Sequence, residues 1–259
     1  MNPAESPAAA WRIGSVQYLN AAPLTWGLGA DLVLTTPARL AERLQKAELD
    51  AGLVSIVEVL YHDHYDVLDG IAIASDGPVK SVFLAHRKPL AELTEIYCDP
   101  ASLTSVRLLQ VLLAEHGLRP ALRPLASYAA AAGAEAVLLI GNAALDFLPA
   151  PAEYAVWDLG AAWKALTGLP FVYAIWALRR DRDHAALRAR LREARDQGLA
   201  HLEELIQGRP EYNAALRREY LTHCIRYGLG DAEKQGIARF IGLLRRHGFG
   251  PVVEPRWVG

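Results

Sequence analysis

Trp11-Arg12-Ile13-Gly14-Ser15-Val16-Gln17-Tyr18-Leu19-Asn20-Ala21-Ala22-Pro23-Leu24 carries the first decision about the fold. Residues 11–16 are apolar enough for a buried strand, and residues 17–20 form its polar exit loop. Pro23 suits the start of a short helix reaching about Gly29, because its ring fixes φ near the helical value and it lacks an N–H. Strand, loop and helix in that order open a βαβ unit, in which ligands sit at the carboxyl ends of strands. The same grammar continues downstream. Residues 32–34 predict a second strand, and Thr36 with Pro37 predict the N-cap and first residue of a helix. Leu40, Leu44 and Ala47 recur at helical spacing on that helix, and residues 51–54 predict a third strand ending at Ser55.

Residues 67–74 and 81–85 read as strands separated by the Asp76-Gly77-Pro78 turn. Residues 95–98 open a new unit. A polar loop, 99–104, leads into a helix that reaches about His116 and is closed by Gly117, with Val106, Leu109 and Leu113 on its buried face. Residues 136–140 are a wholly apolar strand ending in Gly141-Asn142, and 171–178 are an apolar, aromatic one. From Asp183 the pattern is helical, with Leu187, Leu191, Ala194, Leu202 and Leu205 on one stripe. A last helix begins at Asp231, carries Ile237, Ile241 and Leu244, and stops at Gly248. No internal repeat is present. This order predicts an α/β protein with mostly parallel sheets covered by helices.

Composition narrows the function. The chain has 259 residues, of which 52% are hydrophobic and 22% charged, and a formal net charge of −2. A disordered chain would be less apolar and more strongly charged. A binder that neutralises nucleic-acid phosphates would be basic. The run Arg188, Arg190, Arg192 and Arg195 is interleaved with Glu193 and Asp196 and preceded by Asp181 and Asp183, so it reads as a solvated helix face and no nucleic acid is expected. No run approaches the ~18–20 apolar residues that span a bilayer, so no membrane partner is expected. Residues 1–10 have neither a basic segment nor an apolar core and read as a frayed leader, not a secretory signal, which favours a cytoplasmic protein. Cys98 and Cys224 are too few for a disulfide scaffold and read as buried thiols in a reducing compartment.

The candidate site loops are 17–20, Ser55, 78–81, 102–105 and 141–142, and their chemistry is neutral. Ser102, Thr104 and Ser105 at a helix start offer hydroxyls beside unpaired N–H groups, which suits a carboxylate or phosphate. Each residue also has a plainer reading. Ser102 or Thr104 would cap its own helix, Asn20 would close an Asx turn, Ser81 would be a strand serine, and Ser55 would cap the helix after it. Together they outline a polar, uncharged cleft for a small anion. Tyr61-His62-Asp63-His64, with Asp66 and Asp69 nearby, lacks zinc-site spacing and reads as an exposed polar turn, so no metal is expected. No G-x-S-x-G elbow, dinucleotide fingerprint or P-loop occurs, and no cofactor is expected. His86 has the chemistry of a base but sits on a crossover segment and reads as a surface histidine.

Several ordered motifs carry a family resemblance. Gly14-Ser15-Val16-Gln17-Tyr18-Leu19-Asn20-Ala21-Ala22-Pro23-Leu24 resembles the G-x-x-x-Y/F-L-N-x-x-P-L opening of the chorismate dehydratases, the first committed enzymes of the futalosine route to menaquinone. The likeness continues in Leu49-Asp50-Ala51-Gly52-Leu53-Val54-Ser55, Asp76-Gly77-Pro78-Val79-Lys80-Ser81 and Ser102-Leu103-Thr104-Ser105-Val106-Arg107-Leu108. It recurs in Leu139-Ile140-Gly141-Asn142-Ala143-Ala144-Leu145, in Asp158-Leu159-Gly160-Ala161-Ala162-Trp163-Lys164, and in Thr167-Gly168-Leu169-Pro170-Phe171-Val172-Tyr173-Ala174. Nearly the whole chain is covered. One position departs: the family usually carries Asp where Asn142 stands, so a required carboxylate there is not expected.

The resemblance implies a type II periplasmic-binding-protein-like architecture, with two lobes around a central cleft joined by two crossover strands. The crossovers fall near residues 85–90 and 171–177. Lobe 1 is then discontinuous, residues 1–88 plus 176–259, and lobe 2 is the insert, residues 89–175. The implied reaction is loss of water from chorismate to give 3-[(1-carboxyvinyl)oxy]benzoate. On this reading Asn20 hydrogen-bonds near the reacting centre, and the ring carboxylate sits on the Thr104–Ser105 helix start and Ser81. Ser55, Ser102, Gly141 and Asn142 complete the substrate-binding set, and the substrate's own side-chain carboxylate takes the proton for want of a protein base. Two alternatives share the fold: a solute-binding protein, which would bring a signal peptide or lipobox, and 1,4-dihydroxy-6-naphthoate synthase, which the Tyr18-Leu19-Asn20-x-x-Pro-Leu opening disfavours. A ligand-sensing regulator would add a DNA-binding helical domain. The oligomeric state is left open.

Overall fold

The computed structural model describes residues 11–101 and 103–259. The leader reading of residues 1–10 and the assignment of Ser102 lie outside the described residues. The chain begins in one sheet with β1 (Ile13–Ser15), β2 (Leu32–Leu34), β3 (Ala51–Ser55) and β4 (Tyr65–Ser75); α1 (Pro37–Gln45) and α2 (Ile56–Tyr61) flank β3. It then leaves that sheet and builds a second from β5 (Val82–His86), β6 (Glu95–Cys98), β7 (Ala121–Pro124), β8 (Ala136–Ile140) and β9 (Ala155–Asp158). This insert carries α3 (Leu103–Glu115) and α4 (Gly141–Phe147) and continues into α5 (Leu159–Thr167). β10 (Phe171–Arg179) re-enters the first sheet between β3 and β4. The helices α6 (Ala185–Ala200), α7 (Leu202–Gly208) and α8 (Ala214–Glu219) follow, then β11 (Arg226–Leu229), α9 (Asp231–Arg246) and β12 (Arg256–Val258).

The first sheet runs β11-β4-β10-β3-β1-β2 with β12 also on β4, and the second runs β7-β6-β8-β5-β9. Both are mixed. β10 is antiparallel to β3 and β4, and β5 is antiparallel to β8 and β9, while β1 with β2 and β6 with β8 are parallel. The mostly parallel sheets read from the sequence are corrected here. Apolar runs identify strands, but they carry no information about the direction of the partner. Sheet membership changes between Ser75 and Val82 and again between Asp158 and Phe171. Both changes fall N-terminal of the 88/89 and 175/176 boundaries read from the sequence.

The elements form for local reasons and are fixed by burial. α1 begins with Pro37 and buries Leu40, Ala41 and Leu44 on one stripe. β8 is buried along its whole length, as a central strand covered on both faces must be. On β5, Phe83 and Ala85 face one apolar cluster while Val82 and Leu84 face another, the period of two that a strand imposes. Trp163 of α5, Phe171 of β10 and Phe240 of α9 meet edge to face, with ring centroids 5.1–5.9 Å apart, and tie the inserted helix to the returning chain. Among the described residues no helix is long and apolar enough to cross a membrane.

α6 crosses the 3-10 helix Leu19–Thr25 at a point where only glycine fits: a Cβ on Gly198 would lie 1.9 Å from the Pro23 carbonyl oxygen. Gly242 of α9 faces open space. Gly198→Ala therefore lowers unfolding stability by about 1–3 kcal/mol through overpacking. Gly242→Ala raises it by about 0.5–1 kcal/mol through helix propensity. Urea denaturation of the two variants checks this, and equal midpoints would contradict the close approach.

Candidate active site

A cleft of about 630 Å³, partly open to solvent, is lined from both sheets. The first sheet contributes Tyr18 and Asn20 after β1, Ser55 at the end of β3, and Tyr173 of β10; the second contributes Ser81, Thr104, Ser105 and Gly141. No charged side chain lines it among the described residues.

Its hydroxyls are ordered by donor and acceptor arithmetic. The Thr104 hydroxyl donates to the Tyr173 carbonyl at 3.2 Å, so the short hydrogen bond between Ser55 and Thr104 must be donated by Ser55. The Val57 N–H, at 3.5 Å, also points to the Thr104 oxygen. Thr104 thus spends its only hydrogen on linking the sheets. What its helix start still offers is the N–H groups of the first turn of α3, which have no intrahelical acceptor, and the buried Ser105 hydroxyl. Beside the cleft-lining Tyr173, Ser75 donates to the Gly77 carbonyl at 3.1 Å, which makes Tyr173 the donor to Ser75 at 3.0 Å.

Ser81 sits on a turn held by a single carboxylate. Asp158 caps α5 by accepting the Ala161 N–H at 2.9 Å, and it also accepts the N–H groups of Val79 at 3.0 Å and Lys80 at 2.7 Å. Lys80 has a left-handed φ of 60°, a strained conformation these bonds hold in place. The Ser81 carbonyl accepts the Gly141 N–H at 2.8 Å. Gly141 has φ 55°, and a Cβ there would stand 3.0 Å from the Tyr18 ring, so glycine keeps this wall open. Tyr220 approaches from the C-terminal part of the first sheet's layer and donates to Ser81 at 2.7 Å.

The structure brings Asn20, Ser55, Ser81, Thr104, Ser105 and Gly141 to one cleft. Asn142 is not among its lining. Its side-chain oxygen accepts the Leu19 N–H at 3.3 Å and its carbonyl accepts the Tyr212 hydroxyl at 3.0 Å, so it joins the two sheets' layers beside the cleft. Its neighbour Gly141 begins α4, which turns the next side chain away. His86 stands at the end of β5 and donates its Nδ1–H to the Lys88 carbonyl at 2.7 Å, away from the cleft. Among the described residues no group of three His, Cys, Asp or Glu could hold a metal ion. Sequence reasoning missed Tyr173 and Tyr220. Tyr173 lay in a strand read only for its apolar character, and Tyr220 lies in a π-helical turn, Tyr220–Cys224, that no motif announces.

The phenols around the cleft are kept neutral. Burial pushes the Tyr18, Tyr173 and Tyr220 hydroxyls up from the ordinary tyrosine range, and Asp99 adds to the effect at Tyr18. The site is therefore a set of oriented neutral dipoles beside a helix start, which suits an anion held without a counter-charge.

Two α/β layers facing each other across an uncharged cleft make a two-lobed fold of the periplasmic-binding-protein type. Among solved structures, protein AF1704 of Archaeoglobus fulgidus superposes with a TM-score of 0.75 at 15% identity, over 93% of this chain and 98% of that one. The alkanesulfonate-binding protein SsuA from Xanthomonas axonopodis pv. citri gives 0.64 at 16% identity, over 92% of each chain. These likenesses concern the fold alone. Residues 11–246 match the family model described as menaquinone biosynthesis, and the chain is 33% identical to the chorismate dehydratase of Thermus thermophilus over 90% of its own length and 94% of that protein's. The chain belongs to this menaquinone biosynthesis family.

Asp158→Ala removes the cap of α5 and the acceptor of the Val79 and Lys80 N–H groups. It is expected to cost about 0.5–2 kcal/mol of stability and to speed hydrogen exchange at residues 79–81. Exchange measured by mass spectrometry or NMR checks it; unchanged protection of that turn would show that Asp158 does not hold it.

Proposed function

We propose that the protein dehydrates chorismate to 3-[(1-carboxyvinyl)oxy]benzoate, acting as a carbon–oxygen lyase in menaquinone biosynthesis. The observation that carries this reading is the family match together with 33% identity to a chorismate dehydratase along nearly all of both chains. The neutral cleft supports it. The ether-bearing ring carbon gives up its proton, the electron pair becomes a ring double bond, and the neighbouring carbon–oxygen bond breaks. The departing hydroxide is protonated to water. Aromatisation drives the step, so the protein's task is orientation and stabilisation of the leaving oxygen.

The substrate's ring carboxylate is assigned to the first-turn N–H groups of α3 at Thr104 and Ser105 and to the Ser105 hydroxyl. Ser81, already an acceptor from Tyr220, has its own hydrogen to donate to the leaving oxygen. Asn20 has a buried side-chain oxygen without a hydrogen-bond partner among the described residues, fit to accept from the substrate hydroxyl. No carboxylate or imidazole lines the cleft among the described residues, so the enolpyruvyl carboxylate of the substrate is assigned the proton. We also propose that the two lobes divide where sheet membership changes, and that the protein works in the cytoplasm. The buried, unpaired Cys98 and Cys224 are compatible with a reducing compartment.

Protein mixed with chorismate is expected to yield the aromatic product, read by its ultraviolet absorbance and by mass; folded protein without turnover would overturn the activity. Asn20→Ala and Ser81→Ala are each expected to lower kcat about 10²–10³-fold, the usual loss for one oriented dipole at the reacting atoms. A chorismate analogue lacking the enolpyruvyl carboxylate is expected to bind without reacting.

The pH profile is a separate test. The cleft phenols are raised above their ordinary range and stay neutral, and the substrate carboxylates are ionised well below neutrality. kcat/KM is therefore expected to be flat from about pH 6 to about pH 9. A bell inside that window would reveal a titrating protein base and remove the substrate carboxylate from that role.

A further inference from the structure

Tyr220 is 1% exposed, and its phenol has one hydrogen to give. That hydrogen goes to Ser81 Oγ at 2.7 Å. The Ser81 main chain is already occupied, its N–H on the Val79 carbonyl and its carbonyl taking the Gly141 N–H. The Ser81 hydroxyl, held as an acceptor on one side, keeps its own hydrogen, and among the described residues no protein acceptor takes it. The Asn20 side-chain oxygen is also buried and without a partner among the described residues. Ser81 and Asn20 both line the cleft.

We propose that Tyr220 is a positioning residue that fixes the polarity of Ser81, making its hydroxyl a donor toward the substrate hydroxyl that leaves. This rests on the dehydratase reading above. The leaving oxygen needs a donor as charge develops on it. Without the phenol, the Ser81 hydroxyl is free to rotate and no longer presents its hydrogen to the cleft. The phenol is suited to this because burial keeps it protonated. Its approach is set from outside the cleft. Lys80, next to Ser81, is paired with Glu219, next to Tyr220, and the π-helical turn begins at Tyr220 itself.

The test is a double-mutant cycle on the full chain with Tyr220→Phe, Ser81→Ala and the pair, measuring kcat and KM for chorismate. Tyr220→Phe is expected to lower kcat about 10–100-fold, less than the loss of a donor outright, with KM within about threefold of wild type. In the Ser81→Ala background the same change is expected to cost less than about twofold, because the group it acts through is gone. Full activity of Tyr220→Phe, a rise in KM alone, or losses that multiply would each overturn the proposal. If Tyr220→Phe does not fold, 3,5-difluorotyrosine at position 220 carries the test. That ring keeps nearly the same shape, but its phenol loses its hydrogen at lower pH. An alkaline fall in kcat absent from wild type supports the proposal, and a profile identical to wild type overturns it. Wild-type protein without turnover overturns the dehydratase reading and this inference with it, whereas active wild type beside a fully active Tyr220→Phe overturns the inference alone.

Discussion

Thr104 joins the two sheets' layers through one hydroxyl. It donates to the Tyr173 carbonyl on β10 and accepts from Ser55 at the end of β3, while its own helix belongs to the inserted layer. A buried hydroxyl that lost these partners would be left unsatisfied at a cost of about 1–3 kcal/mol. The cleft therefore closes around a fixed hydrogen-bond pattern and not merely around apolar contact. That pattern decides which groups remain for a ligand. The hydrogens of Ser55, Thr104, Ser75 and Tyr173 are committed within the protein. Those of Ser81 and the first turn of α3 are not.

Neutrality follows from the same constraint. A lysine or arginine at the cleft floor would have to be desolvated against apolar walls such as Leu53, Ile73 and Ile140. Helix-start N–H groups are already desolvated by the fold, so presenting them to a carboxylate adds little further penalty. The formal net charge of −2 is compatible with an anionic ligand for that reason. Affinity does not depend on a basic surface when the dipoles converge locally.

The strands with uniform apolar runs were legible. Residues 32–34, 95–98 and 136–140 match β2, β6 and β8, and Ser55, Ser81, Thr104 and Ser105 could be placed at strand ends and a helix start from spacing alone. Strand direction was not legible, because side-chain periodicity reports which face is buried and not which neighbour is paired. β7 and β9 are short edge strands with exposed residues, so burial left little pattern to read. Asn142, read with Gly141 as part of the site, stands beside the cleft. Gly141 turns the chain into α4, and the side chain after it joins Leu19 instead of entering the cleft.

Tyr220 was illegible for a deeper reason. Ser81 and Tyr220 are separated by 139 positions, and the intervening chain builds the rest of the second sheet, returns as β10 and runs through three helices before it arrives. Local sequence specifies a helix there; only the closed fold puts a phenol against Ser81. The groups that face the substrate sit where motifs can be recognised, in loops at strand ends. The group that orients Ser81 comes from the helical segment after β10, later in the chain than every loop that lines the cleft. A two-lobed clamp with the same loops but a different residue at this turn would still form a polar cleft. It would lack the fixed donor that separates holding a hydroxyl from helping it leave.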